Sequence, residues 1–302
     1  MPEFCEAKSQ RLRTTNNWEE STPAAIFRDR GLEFRRFCAG TYAMTDHMSE
    51  LYFEYYIYKD RIGLLGDIAS VLGMLSFNIV TLSGVEDRKR GFLLRVEDPA
   101  RIDTLQELLR QVDNITVTAL RPPTLLDRLA LRHGRLIERD TEFGNCKTYK
   151  FTRDDLGILV DFIGEHLKRP GHQVMGIRGM PRVGKTESLV AASVYAGKRW
   201  TFISSTLLKQ TLRTDLDEDE FNLDNHVYII DGIVSTMRGS EDHLRLVRRI
   251  LRINAPKIIE HPDIFVQRSE FTWELFDRII ELRNSPDEEI SYAGLEHDIT
   301  ER

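Results

Sequence analysis

The sequence is short of cysteine, of long apolar runs and of net charge of either sign. Its three cysteines, Cys5, Cys38 and Cys146, are far apart and odd in number. They exclude a disulfide framework and a cysteine-rich zinc module, and they suit a reducing compartment. No stretch approaches the ~18 consecutive apolar residues of a membrane-spanning helix, and the N-terminal segment lacks the apolar core of a secretory signal. Lys plus Arg number 42 against 48 Asp plus Glu, a net charge of −6. That balance argues against a protein that coats nucleic acid through overall charge. Neither GxSxG nor HExxH occurs, and no His/Cys/Glu spacing suggests zinc. A cytoplasmic protein without a membrane partner is expected.

With 302 residues, 41% hydrophobic and 30% charged, the chain has room for about two domains. It divides into four parts. Residues 1–48 scatter charge without period, with turn-prone clusters at Thr14–Asn17 and Ser21–Pro23, and read as a poorly ordered extension. Two readings stay open there: a natural start at Met44 or Met48, so that residues 1–43 do not belong to the natural protein, or an ordinary flexible tail. In residues 50–121, Leu51, Phe53, Tyr55 and Ile57 alternate with polar or amphipathic neighbours as a strand. Leu64, Leu65, Ile68, Val71, Leu72 and Leu75 follow at helical spacing. Strands at Asn78–Ser83 and Gly91–Val96, a helix over Ile102–Val112 and a strand over Ile115–Ala119 complete βαββαβ, the ferredoxin-like order. Residues 122–170 form a connector, with a hairpin around Gly144-Asn145 and a helix opened by Thr152-Arg153-Asp154-Asp155. Residues 171–302 alternate strand and helix patterns, which implies a layered α/β domain with a parallel sheet.

One loop carries most of the chemistry. Gly179-Met180-Pro181-Arg182-Val183-Gly184-Lys185-Thr186 fits G-x-x-x-x-G-K-[ST] throughout. It follows an apolar run, Gln173–Ile177, and opens a helical stretch, Lys185–Ala196, stopped by Gly197. Glycines let backbone N–H groups curl inward as an anion nest, and the helix N-terminus adds partial positive charge. Lys185 would meet the β/γ-phosphates, and Thr186 would place its hydroxyl on Mg²⁺. Further on, Val227-Tyr228-Ile229-Ile230-Asp231 is an apolar strand ending in a carboxylate. At the C-terminal edge of a parallel sheet Asp231 would hold the same ion. The unit between reads as a strand, Trp200–Ile203, then a helix over Leu207–Leu212 capped by Ser204-Ser205.

Gly232 follows Asp231, where many nucleotide hydrolases carry Glu. Glu187, Glu241 and Glu260 are acids available elsewhere, each read as a surface or structural acid. Arg182 and Arg238 are candidates to meet phosphate. Arg245, Arg248, Arg249 and Arg252 give one helix a basic face. Asp215–Glu220 reads as a solvated acidic loop and Phe276–Asn284 as a late strand. His261 and Cys146 stand alone.

Two family resemblances rest on these residues. Residues 171–302 resemble P-loop NTPases, through Gly179–Thr186 and Asp231. Residues 50–121 resemble an ACT domain, through βαββαβ order and Asp60-Arg61-Ile62-Gly63-Leu64-Leu65, with Ile62 where that family often has Pro. The pairing is also similar to a family of uncharacterised bacterial proteins. These resemblances imply an α/β P-loop NTPase-like domain with a parallel sheet plus an α+β ferredoxin-like (ACT-type) domain. They imply an amino acid bound near Gly63 and a homodimer. The expectation is Mg²⁺-dependent binding of ATP or GTP with slow hydrolysis, regulated by the small-molecule-sensing domain. A P-loop small-molecule kinase, and a regulatory module that holds nucleotide without turnover, are the alternatives.

Overall fold

Alternation along Leu51, Phe53, Tyr55 and Ile57 makes Ser49–Ile57 a strand, β1. The computed structural model describes residues 49–143, 146–221 and 225–292, all in the unit that begins at Ser49. Both readings of residues 1–48, and the Gly144-Asn145 turn, lie outside the described residues. Phe77–Glu86 (β2), Lys89–Val96 (β3) and Ile115–Arg121 (β4) join β1 in the order β2-β3-β1-β4. Every pairing in this sheet is antiparallel. Leu64–Met74 (α1) buries Leu64, Ile68 and Leu72, and Arg101–Arg110 (α2) buries Ile102, Leu105 and Leu109. Phe53, Tyr55 and Phe92 cluster with ring centroids 5.4–5.9 Å apart.

A helix that the sequence pattern did not suggest follows. Leu125–His133 (α3) starts with a full capping box, in which Thr124 and Asp127 each satisfy the other's backbone N–H. Leu129 joins the core of the larger sheet, whereas Ala130 and Leu131 pack on Tyr52, Val85 and Leu93 of the smaller one. With both sides buried, α3 has no single apolar stripe.

The larger sheet has eight strands. They are Glu138–Phe143 (β5), Cys146–Thr152 (β6), Gln173–Arg178 (β7), Arg199–Ser205 (β8), Thr211–Leu212 (β9), His226–Asp231 (β10), Pro256–Glu260 (β11) and Arg278–Arg283 (β12). Their order is β5-β6-β12-β7-β11-β10-β8-β9. The six inner strands run parallel and only the two edge pairings are antiparallel. Apolar cores lie on both faces, which is why β7, β10 and β11 read as continuous apolar runs. On one face Leu159 and Phe162 of Leu156–Leu167 (α4) and Leu189 of Lys185–Tyr195 (α5) meet Ile177, Ile229 and Ile258. On the other, Leu246 and Val247 of Glu241–Arg252 (α7) and Phe265 of Pro262–Arg268 (α8) meet Tyr228, Ile230 and Ile259. A short helix, Gly232–Arg238 (α6), follows β10.

One expected element is absent. Leu207–Leu212 is not a helix: Lys209 and Gln210 take left-handed φ values of 53° and 58°, and the chain turns back into β9. Among the described residues no helix is long and apolar enough to cross a membrane.

Candidate functional site

The site is built where β7, β11 and β10 end side by side. In register, Glu260 of β11 stands opposite Asp231 of β10 on one flank and Ile177 of β7 on the other. Beyond β7 the chain curls through Gly179–Gly184, with φ values of 65° at Arg182 and 109° at Gly184. Val183 anchors the curl by full burial in the core, while Pro181 and Arg182 are exposed. Below it, Arg178 is tied to Glu281 of β12 at 2.7 Å and to Asp263 of α8 at 3.1 Å. The Gly179 N–H donates to the Tyr292 hydroxyl at 3.2 Å, and the Tyr292 ring meets His261 edge-on at 5.3 Å. The first amides of α5 have no partner within the helix.

Lys185 is buried, and its ammonium donates to the Gly179 and Met180 carbonyls at 2.8 and 2.9 Å. Burial holds its pKa below the usual lysine value, against the pull of Glu260, Asp231 and Glu187. The Thr186 hydroxyl donates to Glu260 Oε1 at 2.6 Å. Asp231 is 1% exposed. Its Oδ1 accepts the Ile233 and Val234 amides at 3.0 and 3.1 Å, capping α6. Its Oδ2 is buried with no hydrogen-bond partner. Burial pushes the Asp231 carboxyl up, partly offset by those amides and by the hydroxyl and amide of Thr206. Burial first, and then the like charge of Asp231, push Glu260 up to about 7.

A buried polar chain fixes Asp231 from behind. The Asp231 N–H donates to Ser204 Oγ at 2.9 Å, and Ser204 Oγ lies 2.6 Å from Ser235 Oγ. Ser235 Oγ lies 3.0 Å from His243 Nε2, while His243 Nδ1 lies 2.6 Å from the Arg213 carbonyl. With Nδ1–H assigned as donor to that carbonyl, Nε2 accepts from Ser235. Burial keeps His243 below its ordinary pKa, which suits this neutral form.

The fold therefore brings together Gly179, Met180, Val183, Gly184, Lys185 and Thr186 with Asp231. It adds Glu260 and His261, which the sequence reading set aside. Ile258-Ile259-Glu260 is another apolar run closed by an acid, like Ile229-Ile230-Asp231, but only the strand order sets it beside Asp231. His261 is no isolated residue. It is buried at a left-handed φ of 55°, and burial and Lys185 hold its pKa near 3.

Other candidates lie elsewhere. Gly63 caps α1 at φ +86°, and a side chain there would meet only the tip of Arg61; the turn itself explains the glycine. Arg238 ends α6. The basic face of α7 is largely neutralised. Arg245 pairs with Asp242, Arg248 with Glu241 and Glu270, and Arg249 reaches Asp215. Cys146 is buried, its thiol donating to the Trp273 and Phe276 carbonyls. Among the described residues no group of three or more His, Cys, Asp or Glu could hold a metal ion.

A family described as protein of unknown function (DUF3388) matches residues 117–302. The uncharacterized protein YmfK of Bacillus subtilis (strain 168) is 58% identical over 252 residues, 83% of this chain and 93% of YmfK. The chain belongs to the DUF3388 family. A phospho-2-dehydro-3-deoxyheptonate aldolase of Thermotoga maritima is 15% identical and aligns over 78% of this chain and 69% of the aldolase, with a TM-score of 0.19. A likeness that slight carries neither fold nor activity to this chain.

The DUF3388 match corrects the two resemblances drawn from sequence. The chain is not assigned to the P-loop NTPases joined to an ACT domain, and what those families do carries no weight here. Both resemblances leaned on short motifs. Asp60–Leu65 is accounted for by the turn into α1, and a glycine loop before a helix is a local geometry that a family name does not follow from.

Proposed function

We propose that this chain binds a magnesium-complexed nucleoside triphosphate, ATP or GTP, at Gly179–Thr186 and hydrolyses it slowly. The observation that carries this reading is the buried Asp231 Oδ2, which makes no close hydrogen bond although Thr206 lies nearby, grouped with the Thr186 hydroxyl and the Lys185 ammonium. An orphaned carboxylate oxygen costs free energy unless something fills its place. Oxygen donors of this kind suit a hard divalent cation that keeps several waters. Thr186 and Asp231 would hold the ion, which when bound neutralises charge between the β- and γ-phosphates. The curl of amides and the start of α5 would receive the phosphates. Lys185 would exchange its two carbonyl bonds for phosphate oxygens. Calorimetric titration of the chain with Mg²⁺–ATP and Mg²⁺–GTP tests the reading: binding of one or both supports it, and no heat with either sinks it.

A second copy of the chain is the partner this reading favours. β2 is an edge strand, and its Ile79, Val80 and Leu82 are exposed. Unpaired apolar edges invite strand pairing. A cytoplasmic location suits a nucleotide-dependent protein with three scattered cysteines.

A further inference from the structure

Hydrolysis needs a group that holds water opposite the leaving oxygen, and the chain after Asp231 cannot supply one. Gly232 is pressed against the end of β11. A Cβ there would lie 2.7 Å from the Glu260 carbonyl, 2.8 Å from the His261 carbonyl and 2.9 Å from Phe265 Cβ. No side chain fits at that position without moving backbone. Of the remaining acids near the loop, Asp263 and Glu281 are both paired with Arg178. Glu187 is exposed on α5, and Glu241 is exposed and paired with Arg248. Asp231 is committed through Oδ1 to the amides of α6.

Glu260 differs from all of these. It is 4% exposed, at the tip of the strand that separates the loop strand from the Asp231 strand. Its Oε1 takes the Thr186 hydroxyl, and among the described residues Oε2 accepts no hydrogen bond. It has no ion-pair partner among the described residues, so nothing competes for the free oxygen. The parallel register that sets Glu260 opposite Asp231 places this residue beside position 232, where no side chain fits.

We propose that Glu260 is a catalytic residue that holds the attacking water in line with the γ-phosphate, an inference that rests on the triphosphate reading of the loop. The water oxygen forms a bond to the γ-phosphorus as the bond to the β,γ-bridging oxygen breaks. That electron pair stays on the diphosphate, and both water protons leave on inorganic phosphate. Glu260 touches the water and leaves binding of the ground state to the loop, Lys185 and Asp231.

The test compares the full chain with Glu260→Gln, using whichever of ATP and GTP the unaltered chain binds. Phosphate release should fall about 100-fold or more, while the Kd for the Mg²⁺–diphosphate stays within about twofold. Aluminium fluoride, which with the diphosphate mimics the reacting phosphoryl group, should tighten diphosphate binding in the unaltered chain and not in the variant. If Glu260→Gln fails to fold, Glu260→Asp takes its place, retracted by one methylene, and should lose about tenfold in turnover with diphosphate binding intact. Unchanged turnover in the folded variant overturns the role of Glu260 and leaves the nucleotide reading standing. So does a parallel loss of diphosphate affinity, which would make Glu260 part of the ground-state site. An unaltered chain that binds nucleotide without releasing phosphate also overturns it. An unaltered chain that binds neither nucleotide overturns the functional reading itself.

Discussion

The Thr186 hydroxyl donates to the Glu260 carboxylate across 2.6 Å. The residue expected to meet a cation is thus held by a buried acid on the strand between the loop and Asp231. Lys185 is likewise turned onto the Gly179 and Met180 carbonyls. Lys185 and Thr186 are both paired within the site, so a phosphate and its cation must displace those bonds.

Lys185→Ala removes the ammonium from the centre of this arrangement. Loss of a charge-assisted bond costs about 1.5–3 kcal/mol, so the Kd for Mg²⁺–nucleotide should rise roughly 10- to 150-fold. Calorimetry on the folded variant reads this directly. An unchanged Kd would mean that phosphate does not reach Lys185.

Gly232→Ala should destabilise the fold even though alanine favours helices. Its methyl would meet the backbone carbonyls of Glu260 and His261, at 2.7 and 2.8 Å, and backbone cannot swing aside as a side-chain tip can. Overpacking of this kind costs about 1–3 kcal/mol. Denaturant melts should show a lower midpoint with an unchanged slope.

Glu260→Gln should change stability in a pH-dependent way. Burial and Asp231 raise the folded pKa of Glu260 from its ordinary 4.5 to about 7. Between those values the unfolded chain has released the proton and the folded chain has kept it, so stability falls as pH rises through this window. Gln stays neutral in both states. The variant should match the unaltered chain below pH ~4.5 and exceed it by about 3 kcal/mol above pH ~7. Melting curves across that range check the sign; a variant that is less stable at pH 8 contradicts it.

Val80→Lys places a charge on the exposed β2 edge, where Val80 is 41% exposed. Sedimentation should show a dimer for the unaltered chain and a monomer for the variant, with melting temperature little changed. A monomer in both removes the second copy from the account.

Legibility in the sequence followed the number of buried faces. β1 alternates because its two sides differ, and the helix after the loop is announced by Gly184 and by small residues along its buried side. α3 was not legible because Leu129 and Leu131 serve different cores, so its apolar residues do not form one stripe. Leu207–Leu212 has helical spacing, yet Leu207 and Leu208 are exposed and Lys209 and Gln210 turn left-handed. In the site, the loop and Asp231 could be read from spacing. Glu260 could not, because a lone acid after two isoleucines says nothing of the strand order that sets it between them. The family could not be read either: short glycine motifs report local turns, and the DUF3388 match spans residues 117–302.

Thermal melting of the unaltered chain and of Asp231→Asn, each with ATP or GTP and with or without Mg²⁺, tests the central claim most directly. Asn keeps the cap of α6 and removes the charge that would meet the cation. The unaltered chain should gain about 2.7 kcal/mol at a hundred times the Kd of its nucleotide, only when Mg²⁺ is present, and the variant should lose most of that gain. A melting temperature that neither nucleotide moves, with or without Mg²⁺, would contradict it.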